Sequence, residues 1–239
     1  MFSTSASYYD EIYASMGKDY SKESDKTHKL IQKYLNTQGK SLLDVGCGTG
    51  HHAGLFKKYY QVEGLDLDPN ILSIARKKYP KIRFHKGDMI NFRLNKKFDV
   101  IVSLFSSIGY VKTKSSLNEA IQTMTEHLLP GGVVLIEPWF SPSEWHTGGV
   151  FTIHVNKPDL KITRMSHSSR KENISILDFQ YLIGTPKGIQ YSAEQHQLGL
   201  FTKKDYIEAF RKAGLKVIHD PKGVDGRGLY IGMKSLGKK

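Results

Sequence analysis

The run Leu42-Leu43-Asp44-Val45-Gly46-Cys47-Gly48-Thr49-Gly50 has the residue types of a ligand loop. An apolar strand runs into three glycines, which let a ligand approach the backbone closely, and His51 to Tyr59 then reads as a helix. A second apolar run, Val62 to Leu65, ends on Asp66 and Asp68. The spacing of 20 residues from Gly46 to Asp66 suits a nucleotide, with glycines beneath it and a carboxylate on its ribose hydroxyls. Asp68 precedes Pro69 and reads as a helix cap, which leaves Asp66 as the ribose candidate. Gly48-Thr49-Gly50-His51-His52-Ala53 also fits the dinucleotide fingerprint G-x-G-x-x-A, so the loop alone leaves hydride transfer and adenosyl cofactor chemistry both open.

Two further features favour S-adenosyl-L-methionine over a nicotinamide. Asp44 stands two residues before the first glycine, inside a strand end, where a carboxylate is costly unless it braces the loop or faces a cationic ligand. Gly87-Asp88-Met89 follows the third strand, where a carboxylate can accept the adenine amino group and a backbone amide can meet the ring nitrogen. On the substrate side, Arg164-Met165-Ser166-His167-Ser168-Ser169-Arg170 reads as a strand. A period of two puts Arg164, Ser166 and Ser168, with Arg170, on one face, and aims His167 away from Arg164. That face offers guanidinium and hydroxyl donors suited to a diphosphate, although a plain exposed strand has the same pattern. Asp225-Gly226-Arg227-Gly228 is either a hairpin corner or a second anion contact.

The elements that must position these groups alternate. Strands are expected at Ser41–Val45, Val62–Leu65, Ile82–His85, Phe98–Leu104 and Val133–Ile136, with helices at about Ser21–Leu35, His51–Tyr59, Asp68–Lys78 and Ser116–Leu128. Leu129-Pro130-Gly131-Gly132 reads as the break before the fifth strand. From Gly148 to Leu200 the rhythm changes to alternating β-rich stretches, then returns with a helix from Thr202 to Ala213 and strands at Leu215–His219 and Gly228–Met233. The expected fold is α/β, a doubly wound, mostly parallel seven-stranded sheet with an inserted antiparallel β subdomain. Residues 1–147 and 200–239 form the core, and 148–199 the insert.

Composition sets limits. The 35 basic and 23 acidic side chains give a net charge of +12, but the basic residues are scattered. No basic stripe interleaved with aromatics tracks a nucleic acid, and no Asn/Asp-Pro-Pro-aromatic motif follows the fourth strand, so nucleic acid is not expected as a partner. No run approaches the roughly 18 apolar residues of a membrane span, and Met1 to Asp10 lacks an apolar signal core, so a cytoplasmic protein with no membrane partner is expected. The single cysteine, Cys47, excludes an intrachain disulfide or a cysteine metal cluster and reads as a small buried residue; no metal is expected.

The pattern D-x-G-x-G-x-G, a strand ending in acid and an aspartate after the third strand resembles the class I S-adenosylmethionine methyltransferases, which are Rossmann-like. The resemblance sharpens with Tyr9-Asp10, Gly17-Lys18-Asp19-Tyr20, Phe105-Ser106-Ser107-Ile108-Gly109-Tyr110 and Glu137-Pro138-Trp139-Phe140. Arg164 to Arg170, Leu200-Phe201-Thr202 and Gly226-Arg227-Gly228-Leu229 add to it. Together these are similar to the N-methyltransferases of dTDP-3-amino-3,6-dideoxyhexoses, the desosamine and mycaminose type. The resemblance implies S-adenosyl-L-methionine as cofactor, held by Tyr20 and the loop of Asp44, Gly46, Gly48 and Gly50 at its methionine end. It implies Asp66 on the ribose, Asp88 and Met89 on adenine, and Leu104 beside them. It implies a nucleotide-diphosphate amino sugar as substrate, met by Tyr9, Tyr110, Trp139, Arg164, Ser166, His167 and Arg227, with one or two methyl transfers. Tyr110 is the candidate for orienting the amine. Phe140 stands where the family carries a second tryptophan. A homodimer is compatible with this reading. The alternatives are a methyltransferase of another small polar substrate and a cofactor-binding relative without chemistry.

Overall fold

The computed structural model describes residues 5–237. Helices α1 (Tyr9–Ser15) and α2 (Tyr20–Tyr34) precede the core. Then come β1 (Ser41–Val45), α3 (His51–Phe56), β2 (Gln61–Asp66), α4 (Pro69–Lys78), β3 (Arg83–Lys86), β4 (Phe98–Ser103), α5 (Lys114–Glu126) and β5 (Leu128–Ile136). The insert is β6 (Val150–Lys157), β7 (Leu160–Lys171), β8 (Ile174–Thr185) and β9 (Gly188–Gly199), followed by α6 (Lys203–Lys212), β10 (Lys216–Asp220) and β11 (Leu229–Met233).

The seven core strands lie in the order β10-β11-β5-β4-β1-β2-β3, with β11 antiparallel to both its neighbours and the other core pairs parallel. Alternation along β1 sorts its side chains between the two covered faces. Leu42 packs with Ile31 of α2 and Phe56 of α3, while Leu43 and Val45 pack with Ile121 of α5 and Phe210 of α6. Every residue of β4 is buried, as a strand covered on both faces requires. Strand order reverses between β1 and β4, and a crevice opens there at the carboxyl ends of the strands.

Local chemistry fixes the helix starts. Asp68 accepts from the Asn70 amide with Pro69 in the first helical position, and Thr202 and Asp205 form a capping box at α6. Two expectations are corrected. β5 begins at Leu128, so Pro130, Gly131 and Gly132 lie within the strand, where a register irregularity against β4 absorbs the break. Residues 7–20, to which the sequence assigned no element, contain α1.

The four-stranded antiparallel sheet β6-β7-β8-β9 stands apart from the core sheet. Its inner face buries Val155, Ile162, Phe179, Tyr181 and Ile183 against Ile12 of α1. Full burial of one such isoleucine is worth about 1.5–3 kcal/mol, so the apolar anchor of α1 is the insert. The opposite face of α1 reaches the glycine loop: Asp10 accepts from Thr49 Oγ1 at 2.7 Å and from Lys78 Nζ at 2.6 Å.

Candidate active site

The glycine loop leaves β1 with Gly46, Gly48 and Gly50 all at positive φ, a conformation that glycine adopts without strain. Close approach makes Gly46 necessary as well, because a Cβ there would lie 2.6 Å from Ser107 Cβ. Asp66, at the end of β2, folds back on the loop: its Oδ2 accepts from the Gly48 amide at 2.9 Å and its Oδ1 from the Asp68 amide at 3.0 Å. Burial and the neighbouring Asp66 push the Asp44 carboxyl up to about 7.

One small cavity is lined by Tyr20, Asp44, Gly46, Gly48, Leu104 and Phe105 among others. Tyr20 stacks on His51 with ring centroids 4.3 Å apart. The Tyr20 hydroxyl and Asp44 Oδ2 are both buried without a hydrogen-bond partner among the described residues. A donor and an acceptor left open together suit a zwitterionic amino-acid group, so this end fits the methionine part of S-adenosylmethionine. A neighbouring cavity of about 430 Å³ is lined by Gly46, Gly48, Asp66, Ile71, Asp88 and Met89 on the core side, and by Gln195 and Gln197 of β9. Asp88 Oδ1 accepts from the Ile90 amide at 3.0 Å, which fixes the carboxylate at the cavity wall. The apolar wall and single carboxylates suit a purine nucleoside.

A third cavity lies between the core and the insert and is lined by Tyr9, Tyr13, Phe105, Ser107, Tyr110, Trp139, Phe179, His196 and Arg227 among others. Tyr9 and Ser107 line all three of these cavities, so they mark the junction at which a cofactor and a second molecule would meet. Tyr110 borders the purine-sized cavity and the third one, and its hydroxyl lies 2.8 Å from His196 Nδ1. Burial raises the Tyr110 phenol well above its ordinary value. The Trp139 indole donates to Ser175 Oγ at 2.8 Å and is fixed edge-on to Phe140, with Trp145 close by at 5.7 Å between centroids. Trp145 thus supplies a second indole beside Phe140, with ring centroids 5.8 Å apart.

The turn after β4 needs support. Phe105 and Ser106 are non-glycine residues at φ +51° and +59°, a conformation costing about 1–3 kcal/mol each. The Phe105 amide donates to Glu137 Oε2 at 2.6 Å, Ser106 Oγ donates to the Pro138 carbonyl at 2.7 Å, and Arg227 Nη1 donates to Ser106 Oγ at 3.1 Å. Glu137 is fully buried; burial and the facing Asp225 push its carboxyl up to about 8.

Beyond Trp139 the space widens into a cleft of about 730 Å³, bordered by Tyr13, Lys18, Trp145, Arg164, Ser166, Ser168 and Arg227 among others. Arg164 is buried with its guanidinium 4.3 Å over the Phe179 ring, and its Nε lacks a hydrogen-bond partner among the described residues. A buried cation with an open donor suits an anionic group.

The structure thus gathers Tyr9, Tyr20, Asp44, Gly46, Gly48, Asp66, Asp88, Met89, Leu104, Tyr110, Trp139, Arg164, Ser166 and Arg227 around connected cavities. Two expected residues, His167 and Gly50, lie outside these cavities, and Leu104 and Arg170 stand differently from expectation. His167 lies on the outer face of the insert, exposed, because alternation turns it away from Arg164 and Ser166. Gly50 caps α3 and lines none of these cavities; the space a Cβ would need is taken by Phe84 at 2.9 Å. Leu104 stands beside Tyr20 and Asp44 rather than beside Asp88. Arg170 leaves the face of Arg164 and donates to the Glu172 and Pro142 carbonyls. The sequence reading missed Tyr13, Lys18, Glu137, Glu194 and His196. Glu194 and His196 alternate with Gln195 and Gln197 in a uniformly polar stretch, so hydropathy gives no sign of which face is buried.

A family described as "Methyltransferase domain" matches residues 42–132. The chain is 39% identical over 95% of its length to the dTDP-3-amino-3,4,6-trideoxy-alpha-D-glucopyranose N,N-dimethyltransferase of Streptomyces venezuelae, covering 97% of that protein. It is 38% identical over 95% of its length to the dTDP-3-amino-3,6-dideoxy-alpha-D-glucopyranose N,N-dimethyltransferase of Streptomyces fradiae, covering 90% of that protein. The S-adenosylmethionine-bound structure of CalS10, an amino pentose methyltransferase from Micromonospora echinaspora, superposes with a TM-score of 0.86 at 32% identity, over 95% of this chain and 97% of that one. The loop, the open polar groups beside it and this likeness along nearly the whole length agree. The chain belongs to the S-adenosylmethionine-dependent methyltransferases, in the family of the dTDP-amino-sugar N,N-dimethyltransferases.

Proposed function

We propose that the enzyme methylates the amino group of a dTDP-linked amino-dideoxyhexose, a dTDP-3-amino-3,6-dideoxyhexose, first to the monomethyl and then to the dimethyl amine. The observation that carries this reading is the junction at Tyr9 and Ser107, from which cavities lead to the glycine loop on one side and to Arg164 and Arg227 on the other. S-adenosylmethionine, when bound, supplies an activated methyl group to a neutral amine, a displacement that needs no metal or covalent enzyme intermediate. The protein's contribution is alignment, worth roughly 7–11 kcal/mol in favourable cases.

In this reading Tyr20 and Asp44 hold the amino-acid end, with Gly46 and Gly48 beneath the ligand. Asp66 holds the ribose hydroxyls and Asp88-Met89 the adenine. Tyr9 and Tyr110 orient the sugar amine, Trp139 packs on the sugar, and Arg164, Ser166 and Arg227 meet the diphosphate. The core of residues 1–147 and 200–239 holds the cofactor and one wall of the substrate site, and the insert of 148–199 supplies the facing wall, with Gln195 and Gln197 also bordering the purine-sized cavity.

The test is methyl transfer to dTDP-3-amino-3,6-dideoxyglucose with the single variants Arg164→Ala and Arg227→Ala. Each is expected to raise KM for the dTDP sugar about 10- to 100-fold, the loss of one charged hydrogen-bonded contact, with cofactor affinity changed less than threefold. Wild-type sugar affinity in both variants would refute the diphosphate assignment. S-adenosylhomocysteine binding without transfer to any amine would refute the reaction.

The reading includes a homodimer formed through the outer face of the insert. Leu182 and Tyr191 pair directly across β8 and β9 and are 54% and 67% exposed; Met165 and Ile189 flank them, also exposed. A contiguous exposed apolar strip of this kind marks an interaction surface.

A further inference from the structure

We infer that His196, held by Glu194, is the proton acceptor of the reaction and that Tyr110 passes the proton to it; this rests on the proposed amino-sugar reading of the site. His196 lines the cavity at the Tyr9–Ser107 junction, is 2% exposed, and places Nδ1 2.8 Å from the Tyr110 hydroxyl. With the phenol as donor to Nδ1, the neutral ring carries its hydrogen on Nε2, which faces Glu194 Oε2 at 3.4 Å. Glu194 is itself oriented by Ser5, whose amide and hydroxyl donate to its two oxygens at 2.7 Å each. Base, orienting carboxylate and transferring hydroxyl thus lie in one buried line that ends at the site of the amine.

Beyond alignment, a second transfer needs a proton acceptor, and this line supplies one. When the amine gains a methyl group its nitrogen becomes an ammonium, and that ammonium has no lone pair for a second transfer until a proton leaves. The proton moves to the Tyr110 oxygen while the phenolic proton moves to His196 Nδ1. The nitrogen regains its lone pair, Tyr110 ends as a phenol, and the imidazolium is balanced by the Glu194 carboxylate. Tyr110 does not store the proton deficit, because its phenolate is disfavoured in this buried place.

The other charged and titratable groups around the ring set the balance. Arg164 of β7 lies over Phe179, whose ring is 5.1 Å from His196, and Arg227 faces the same cavity from the far side. Both cations oppose a charged imidazole, which makes Glu194 necessary. Tyr181 of β8 and Tyr9 and Tyr13 of α1, all raised by burial, stay neutral. Asp66 lies beyond Tyr110 on the cofactor side.

The test uses the full chain with dTDP-3-amino-3,6-dideoxyglucose. His196→Ala is expected to lower kcat about 100-fold, in line with loss of a general base, to accumulate monomethyl product, and to recover at least tenfold on adding free imidazole. Calorimetric affinities for the sugar nucleotide and for S-adenosylhomocysteine should stay within about threefold of wild type. Glu194→Gln guards against a misfolded alanine variant: removing the carboxylate disfavours the imidazolium, so the acid limb of kcat should move to lower pH. A wild-type rate and product ratio in His196→Ala would overturn the relay. So would a loss of rate that imidazole does not restore together with an unshifted pH profile in Glu194→Gln. If the wild-type protein methylates no dTDP-amino sugar, the proposed function fails instead, which keeps the two failures distinct.

Discussion

Glu137 shows how a single buried carboxyl can couple the site to pH. It sits at the end of β5 beneath the left-handed Phe105-Ser106 turn and accepts the Phe105 amide hydrogen. Its folded value of about 8 lies above the ordinary 4.5, chiefly through burial and then through Asp225. A raised value means that the neutral form is the one the fold stabilises. Its contribution is therefore complete below about pH 4.5 and is lost as pH rises through about 8, at up to roughly 1.4 kcal/mol per pH unit. Glu137→Gln keeps the acceptor and cannot ionise. Its Tm relative to wild type should rise by several degrees between pH 5 and pH 9, measured by thermal denaturation. Parallel curves for the two proteins would mean that Glu137 is not held neutral. At this scale the residues around the candidate cofactor cavity were legible in the sequence, because Gly46, Asp66 and Asp88, which line one cavity, sit at fixed offsets from apolar runs. Glu137 and His196 were not, because what matters about them is burial: Glu137 was noted only within Glu137-Pro138-Trp139, and His196 lies in a strand polar on both faces.

Among the elements, α1 has the least sequence signal and the most connections. It is seven residues long, too short for a clear helical period, and its tyrosines serve cavities rather than a core stripe. Ile12 ties it to the insert, while Asp10 ties it to Thr49 of the glycine loop and Lys78 of α4. Burial alone would raise the Asp10 carboxyl, but His51, Lys78 and Thr49 hold it down at about 2. A depressed value contributes stability above about pH 4, lost as pH falls toward 2, so the tie is intact at neutral pH. Asp10→Asn should therefore weaken S-adenosylhomocysteine binding about 3- to 10-fold by calorimetry at pH 7 and cost about 1 kcal/mol of stability, discounted for partial exposure. Unchanged cofactor affinity would show that α1 does not close this side of the site. The core strands were legible because runs such as β4 are nearly all apolar, whereas the true start of β5 was hidden by Pro130-Gly131-Gly132, which reads as a turn but is absorbed within the sheet.

For the whole molecule, the net charge of +12 is a weak guide, since few of its basic residues reach the cavities of the site; Lys18, Lys112, Arg164 and Arg227 do. The insert is more informative. Its inner face packs on Ile12 and lines the third cavity, while the apolar strip around Leu182 and Tyr191 on the outer face is exposed among the described residues. The homodimer proposed through this strip makes a separable prediction. Leu182→Lys with Tyr191→Lys puts like charges on both sides of a self-complementary contact, which destabilises it wherever the two-fold axis lies. Wild type should sediment at twice the chain mass and the double variant at the chain mass. Tyr9, Tyr110, His196, Arg164 and Arg227 converge within one chain, so the variant should keep S-adenosylhomocysteine affinity within about threefold. A double variant that still sediments as a dimer would place the interface elsewhere. One that becomes monomeric and loses cofactor binding would show that the outer face supports the site through the sheet, because His196 and the outward-facing Gln195 and Gln197 share strand β9.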